Sequence, residues 1–199
     1  MIGWWAIAAW SADAPPEVAV CAGCHGPDGN SPAGTWPSLA GQPVAYLEKE
    51  LWDFKVGRRT DPTMSGMVAA LDANAIHTVA VWFSSQTPAP VGRKPAPPDL
   101  VAAGEALFQR GDPARGLAPC RACHGDRAQG GQDPRGNAFP ALAGQHAAYL
   151  DKQLSALAAG QRDNDPGGMM SLIARRLTPA DVRVLSAYLD GLVPAPVTP

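Results

Sequence analysis

Cys21-Ala22-Gly23-Cys24-His25 is the stretch that decides the fold, and it has a second copy at Cys120-Arg121-Ala122-Cys123-His124. Two thiols three positions apart, followed at once by a histidine, form the spacing at which a c-type haem is attached covalently. Each thiol adds to one vinyl group of the porphyrin, and the histidine offers its imidazole to the iron. The motifs therefore predict two covalently bound haem c groups, held by thioethers from Cys21, Cys24, Cys120 and Cys123, with His25 and His124 as axial iron ligands.

Zinc sites and thioredoxin-like redox couples also use CxxC pairs. Four cysteines in two pairs are enough for one zinc site with four thiolates, although 95 residues separate Cys24 from Cys120. Neither alternative needs a histidine directly after each pair. The complete five-residue signature in both copies favours haem.

The two halves of the chain repeat each other beyond the cysteines. Residues 36–42 (WPSLAGQ) match residues 139–145 (FPALAGQ) at an offset of 103, and Arg59 matches Arg162 at the same offset. Residues 86–98 between the halves hold five prolines, which exclude a helix or a central strand. We therefore predict a first domain at 15–87, a Pro-rich linker at 88–98 and a second domain at 99–193.

The local patterns within each half are helical. Apolar residues recur at helical spacing over 46–56 and again over 149–159. Closing helices are expected to start near Asp72 and at Thr178, where threonine, proline and an acidic third residue form a strong start signal. A helix is expected over 100–110, whereas only a short segment precedes the first motif. No alternating apolar run indicates a sheet, so the fold class is all-α, with one small helical bundle around each haem.

Methionines supply the candidates for the second axial ligand. Apart from the initiator, they lie only in two segments rich in proline and glycine, ahead of the closing helices. We expect these segments to be loops. Counting back eight residues from Asp72 and Thr178 reaches Met64 and Met170, and this shared register favours them over Met67 and Met169. Gap-filling core residues are the alternative for all four.

The remaining histidines and two prolines complete the candidates. His77 and His146 have no counterparts in the other half, and we expect them at the surface or at a boundary, not as ligands. Pro37 and Pro140 follow the motif histidines by 12 and 16 residues. Their carbonyl groups are candidates to accept a hydrogen bond from the histidine Nδ1.

The net charge limits the possible binding partners, and the N-terminal residues indicate where the protein is located. A formal net charge of −2 argues against nucleic acid as a partner. Residues 2–10 are apolar, too few to span a bilayer, and Ala12-Asp13-Ala14 has the form of a cleavage site. We therefore predict residues 1–14 as an export signal or a short N-terminal anchor. This places the protein in the periplasm, with peripheral membrane association as the alternative outcome.

With both C-x-x-C-H-G motifs, the segment Asp28-Gly29-Asn30-Ser31-Pro32, the repeated 36–42 and 139–145 segments and the proline-rich connector, the chain resembles the dihaem cytochromes c of the c4 class. The resemblance implies two class I cytochrome c domains joined back to back by pseudo-twofold symmetry. It implies a carrier, not an enzyme, that passes electrons from the bc1 complex to a terminal oxidase, often of the cbb3 type. It also implies His25 and His124 as proximal ligands and Met64 and Met170 as distal ligands.

Two other functions stay open from the sequence. A dihaem subunit of an enzyme complex, such as a flavocytochrome sulfide dehydrogenase, has a similar appearance. A dihaem peroxidase or gas sensor needs an open iron position, which two methionine segments argue against. Residues 14–92 carry a net charge of −3 and residues 100–199 a net charge of +1, so we expect the two domains to prefer different partners.

Overall fold

The computed structural model describes residues 14–90 and 95–195 and is predominantly helical, as expected for an all-α protein. Of the predicted export signal only Ala14 lies within the described residues, and residues 91–94 of the predicted linker lie outside them. Within those residues no single helix is long and apolar enough to cross a membrane, and one pair of short helices (62–68 and 73–85) meets that test only together, bent by 116°. The elements are α1 (Ala19–His25), α2 (Val44–Lys55), α3 (Pro62–Val68), α4 (Ala73–Ser85), α5 (Pro98–Arg110), α6 (Arg121–His124), β1 (Gly131–Gln132), β2 (Ala138–Phe139), α7 (Ala147–Ala158), α8 (Met169–Ala174) and α9 (Pro179–Gly191).

α4 closes the first half and supplies much of its core. Asp72 caps this helix, since its carboxylate accepts a hydrogen bond from the Ala75 amide at 2.8 Å. The abbreviated segment ahead of the first motif packs here, because Val18 is completely buried. The buried cluster consists of Val18, Leu47, Val79, Ala80 and Phe83.

α9 closes the second half in the same way. Thr178 and Asp181 form a complete capping box at its start, which confirms the start signal expected from the sequence. α5 crosses α9 closely at Gly104, where a Cβ would lie 2.1 Å from the Val184 carbonyl oxygen. The buried cluster here consists of Phe108, Ala128, Leu150, Leu185, Tyr188 and Leu189.

The two methionine segments are short helices, so the expectation of loops was wrong. Asp61 caps α3 by accepting hydrogen bonds from the amides of Thr63 and Met64 at 3.0 and 3.2 Å, and Pro62 occupies the first turn. Proline at that position starts a helix as readily as it breaks one. In the second half, Gly168 adopts φ = 70° immediately before α8. The non-helical backbone therefore ends ahead of Met169, and the methionines themselves lie in the helix.

A small antiparallel pair of strands also departs from the expectation of no sheet. Gly131 pairs with Phe139, and Gln132 pairs with Ala138. The Asp133 carboxylate organises the turn between them by accepting hydrogen bonds from the amides of Arg135 and Asn137. Two residues per strand are too few to produce a visible alternation of apolar residues.

Candidate haem-binding sites

The four cysteines form two pairs, and the members of each pair lie one helical turn apart. Cys21 and Cys24 belong to α1, whereas Cys120 precedes α6 and Cys123 lies within it. Residues i and i+3 of a helix lie on one face, so each pair can reach two neighbouring vinyl groups from one side. None of the four is joined to another in a disulfide.

The zinc alternative gains no support from the geometry. Over residues 14–90 and 95–195, no three or more His, Cys, Asp or Glu side chains come together as a metal-ion site.

The two motif histidines are buried and held in the same way. His25 Nδ1 lies 2.8 Å from the Pro37 carbonyl oxygen, and His124 Nδ1 lies 3.0 Å from the Pro140 carbonyl oxygen. Both contacts confirm the hydrogen bond expected from the sequence. Burial lowers the pKa of both imidazoles, although the carbonyl contacts act in the opposite direction. A neutral ring that donates from Nδ1 keeps the lone pair on Nε2, which is the form that binds a metal.

The choice of Met64 and Met170 as iron ligands agrees with their exposure, because each is less exposed than the other methionine of its segment. Met64 and Met170 are half-buried, whereas 46% of Met67 and 39% of Met169 are exposed. A half-buried thioether is better placed than an exposed one to complete an enclosed iron site. The choice of Met64 and Met170 as ligands stays a prediction.

The two unmatched histidines differ from each other. His77 is exposed on α4 and pairs with Glu48 at 2.6 Å, as expected for a surface residue. His146 is buried, and its Nε2 lies 2.9 Å from the Ser31 carbonyl oxygen of the other half. A boundary position is therefore confirmed for His146, and a surface position was wrong.

The boundary between the halves is built from a mirrored pair of glutamines, which sequence reasoning did not assign. Gln42 Nε2 donates to the Ala141 carbonyl oxygen at 2.7 Å, and the Ala141 amide donates to Gln42 Oε1 at 3.0 Å. Gln145 makes the same two contacts with Ser38, each at 2.9 Å. Because Gln42 matches Gln145 and Ser38 matches Ala141 in the repeat, the contacts follow a pseudo-twofold axis. The repeated Gly-Gln pairs were the available signal.

Two arginines at matching positions add a second mirrored contact. The Arg59 guanidinium donates to Tyr149 Oη at 3.1 Å, and the Arg162 guanidinium donates to Tyr46 Oη at 3.4 Å. Burial raises the pKa of the Tyr46 hydroxyl to about 12. Each arginine therefore reaches across the boundary to the tyrosine of the opposite half.

Glu50 breaks this symmetry, because Gln153 stands at its matching position in the second half. The Glu50 carboxylate pairs with Arg59 of its own half and with Arg162 of the other half, the latter at 3.3 Å. Burial raises the pKa of Glu50, but the charges of Arg162, Arg59 and Lys49 outweigh it and bring the value to about 2. One carboxylate thus joins the buried Arg59 guanidinium and the half-buried Arg162 guanidinium.

The donor set in each half fits a haem c group. Each half combines two thiols on one helical face, a neutral buried imidazole whose Nδ1 is engaged, and a half-buried thioether on a separate short helix. Thioether attachment uses the two thiols, and histidine with methionine is a common axial pair in cytochromes c. The same arrangement occurs twice, once on each side of the pseudo-twofold boundary.

Comparisons with known proteins agree with this chemistry. The family model described as Cytochrome c matches residues 101–192. The chain is 42% identical to cytochrome c4 of Pseudomonas aeruginosa over 177 residues, which cover 88% of this chain and 85% of the relative. It is also 42% identical to a thiosulfate dehydrogenase electron acceptor of Thiomonas intermedia over 190 residues, or 94% of this chain and 84% of that one. The crystal structure of reduced cytochrome c4 from Pseudomonas stutzeri matches with a TM-score of 0.80 and 40% identity, covering 89% of this chain and 95% of that one.

Proposed function

Because the chain belongs to the cytochrome c4 family, we propose that it is a periplasmic carrier that passes single electrons from a bc1 complex to a terminal oxidase, such as one of the cbb3 type. Haem c is its covalent cofactor. The observation that carries the proposal is the mirrored support of the two histidines, with His25 2.8 Å from the Pro37 carbonyl oxygen and His124 3.0 Å from that of Pro140.

The proposal assigns the same roles in each half. In the first half Cys21 and Cys24 would form the thioethers, and His25 and Met64 would bind the iron. In the second half these roles fall to Cys120, Cys123, His124 and Met170. Burial of both histidines and the lower exposure of Met64 and Met170 support the assignment.

The side chains of this chain tune and enclose the redox centre. Bound haem c supplies a one-electron iron couple. The hydrogen bond from the histidine Nδ1 to a carbonyl fixes the ring orientation and makes Nε2 a stronger donor. A methionine thioether favours the ferrous state, so both potentials are expected above those of haems with two histidine ligands. With a histidine and a methionine of this chain both bound to each iron, no ligand site would remain for a substrate, which favours a carrier.

The boundary between the halves supports electron exchange within the chain. The contacts of Gln42 and Gln145, together with those of Arg59 and Arg162, hold the halves in one fixed arrangement. A fixed arrangement keeps the distance between the two sites constant, on which the rate of electron exchange depends. Electrons are then expected to enter through one half and leave through the other.

A reconstituted chain of reactions tests the proposed partners. Purified bc1 complex with quinol should reduce the holoprotein, and a purified cbb3-type oxidase should reoxidise it. An inhibitor of the quinol-oxidising site should abolish the reduction and leave the oxidation unchanged. Absence of both reactions, in holoprotein that small reductants still reduce, would contradict these partners.

The second candidate function is that of an electron acceptor for a sulfur-oxidising enzyme. The similarity to a thiosulfate dehydrogenase electron acceptor favours it, since that relative matches 94% of this chain. A purified thiosulfate dehydrogenase should then reduce the holoprotein in the presence of thiosulfate. Stable copurification with such an enzyme, or with a flavoprotein, would assign the chain as an enzyme subunit.

A further inference from the structure

Two arginines at the end of α8 distinguish the second half from the first. Arg175 and Arg176 are both exposed, immediately after the helix that carries Met170. Counted from the matching methionines, the corresponding positions in the first half are Ala69 and Ala70, which are exposed as well. The repeat therefore places a pair of positive charges in one half where the other half has small apolar side chains.

No ion pair with residues 14–90 or 95–195 neutralises this arginine pair. Arg115 is paired with Asp181 at 2.6 Å, and Arg121 is paired with Asp126 at 2.7 Å. The guanidinium groups of Arg175 and Arg176, in contrast, make no hydrogen bond or ion pair with any residue that the structure describes. Both charges are available to an external partner.

An exposed apolar surface lies beside the pair. Leu172 is 53% exposed and Met169 is 39% exposed. Residues three and four positions apart share a helix face, and the backbone stays helical at Arg175, so Leu172 lies next to both arginines. We name Met169, Leu172, Arg175 and Arg176 the α8 face.

We propose that the α8 face is the docking surface for an acidic redox protein whose carboxylates surround an apolar contact. This inference rests on the proposed function, because α8 carries the proposed ligand Met170. Unpaired cations beside an apolar centre attract a negatively charged partner, orient it and release it quickly. The matching region of the first half exposes Met67 with Ala69 and Ala70, and its nearby cation is the single Lys55, whose Nζ donates to the Ala69 carbonyl oxygen at 2.8 Å. It presents one positive charge instead of an exposed pair, so it does not select the same partner.

A purely local role for the arginines makes a different prediction. Basic residues at the C-terminus of a helix interact favourably with its dipole. Loss of that interaction lowers the free energy of unfolding but does not change how fast an acidic protein meets the chain. Encounter kinetics therefore separate the two explanations.

Flavodoxin hydroquinone, a small acidic one-electron donor, serves as the probe in stopped-flow mixing with the ferric holoprotein. The anionic flavin hydroquinone loses one electron and becomes the neutral semiquinone, while one ferric haem becomes ferrous. The test variant is Arg175→Gln with Arg176→Gln. The matched control is Ala69→Glu with Ala70→Glu, which changes the net charge by the same amount at the corresponding positions of the first half.

At low ionic strength the arginine variant should react about tenfold more slowly than the wild type, and the difference should shrink as salt is added. The control should stay within about twofold of the wild type. Equal slowing of both variants would show that only net charge matters and would overturn the proposal. So would a wild-type rate in the arginine variant, or a dimer of the wild type that the arginine substitutions dissociate.

Titration of each protein with dithionite keeps the two proposals distinguishable. Reversible one-electron reduction of both haems with an unchanged response to the arginine substitutions would reject the docking surface alone. Failure of the wild-type haems to cycle by single electrons would reject the proposed function itself.

Discussion

Gln42 joins Ala141 of the opposite half through both ends of its side-chain amide, donating at 2.7 Å and accepting at 3.0 Å. Gln145 repeats this arrangement with Ser38. Both glutamines are buried, so the loss of either side chain leaves backbone groups unsatisfied at the boundary. The two glutamines therefore contribute four hydrogen bonds to the pseudo-twofold boundary.

Replacement of both glutamines, Gln42→Ala with Gln145→Ala, should lower the free energy of unfolding of the holoprotein by about 2–4 kcal/mol, at about 1 kcal/mol for each lost hydrogen bond. Urea unfolding followed by circular dichroism measures this. Gln132→Ala is the control, because Gln132 is exposed and its side-chain amide donates to the Gly136 carbonyl oxygen within its own turn. Equal stability of the double variant and the control would show that the glutamines do not hold the halves together.

The methionine assignment predicts a sharp difference between neighbours. Met64→Ala and Met170→Ala should each open one iron to carbon monoxide and lower the potential of that haem, because the thioether favours the ferrous state. Met67→Ala and Met169→Ala are the matched controls and should behave as the wild type. Carbon monoxide binding to a control variant, and not to its neighbour, would exchange the two assignments.

Cysteine substitutions test the attachment sites one half at a time. Cys120→Ala with Cys123→Ala should yield a chain with a single covalent haem, since the other pair of thiols is intact. The mass of the denatured chain and its pyridine haemochrome absorbance measure the number of haems. Cys21→Ala with Cys24→Ala should give the same stoichiometry through the other half, and two haems on either variant would refute the assignment.

The Glu50 carboxylate predicts a specific response to pH. Its pKa is about 2 in the folded chain, below the ordinary value of 4.5. A pKa that folding lowers stabilises the folded state above the ordinary value, and this contribution disappears as the pH falls from 4.5 towards about 2. Glu50→Gln should therefore cost on the order of 3 kcal/mol at pH 7, and progressively less below pH 4.5.

Urea unfolding at a series of pH values follows this difference. Glu105→Gln is the control, because Glu105 is exposed on α5. A stability difference between Glu50→Gln and the wild type that stays constant from pH 7 to pH 3 would show that the carboxylate charge does not join the halves.

Features with a local cause were accessible from the sequence. The cap at Thr178 was predictable because its partner Asp181 is three residues away, and the complete capping box confirms it. The contact between His25 and the Pro37 carbonyl was predictable because a proline beside an aromatic residue follows the motif histidine in both halves, after 12 and 16 residues. The expectation that the methionine segments are loops was wrong. Proline by itself indicates a loop, but Pro62 directly follows the capping residue Asp61, and at that position proline starts a helix.

Contacts between the halves were not predictable in detail. The repeat marked Arg59 and Arg162 as equivalent, but nothing in a linear pattern indicates that each reaches the tyrosine of the opposite half. The packing of one half against the other determines these partners. His146 shows the same limit, because its partner Ser31 lies 115 residues away.

The optical spectrum of the dithionite-reduced holoprotein, recorded before and after addition of carbon monoxide, tests the central claim most directly. Two six-coordinate irons, each bound by a histidine and a methionine of this chain, predict an unchanged Soret band. A shift in the Soret band of either haem would reveal an accessible iron, contradict the carrier function and favour an enzyme or a gas sensor.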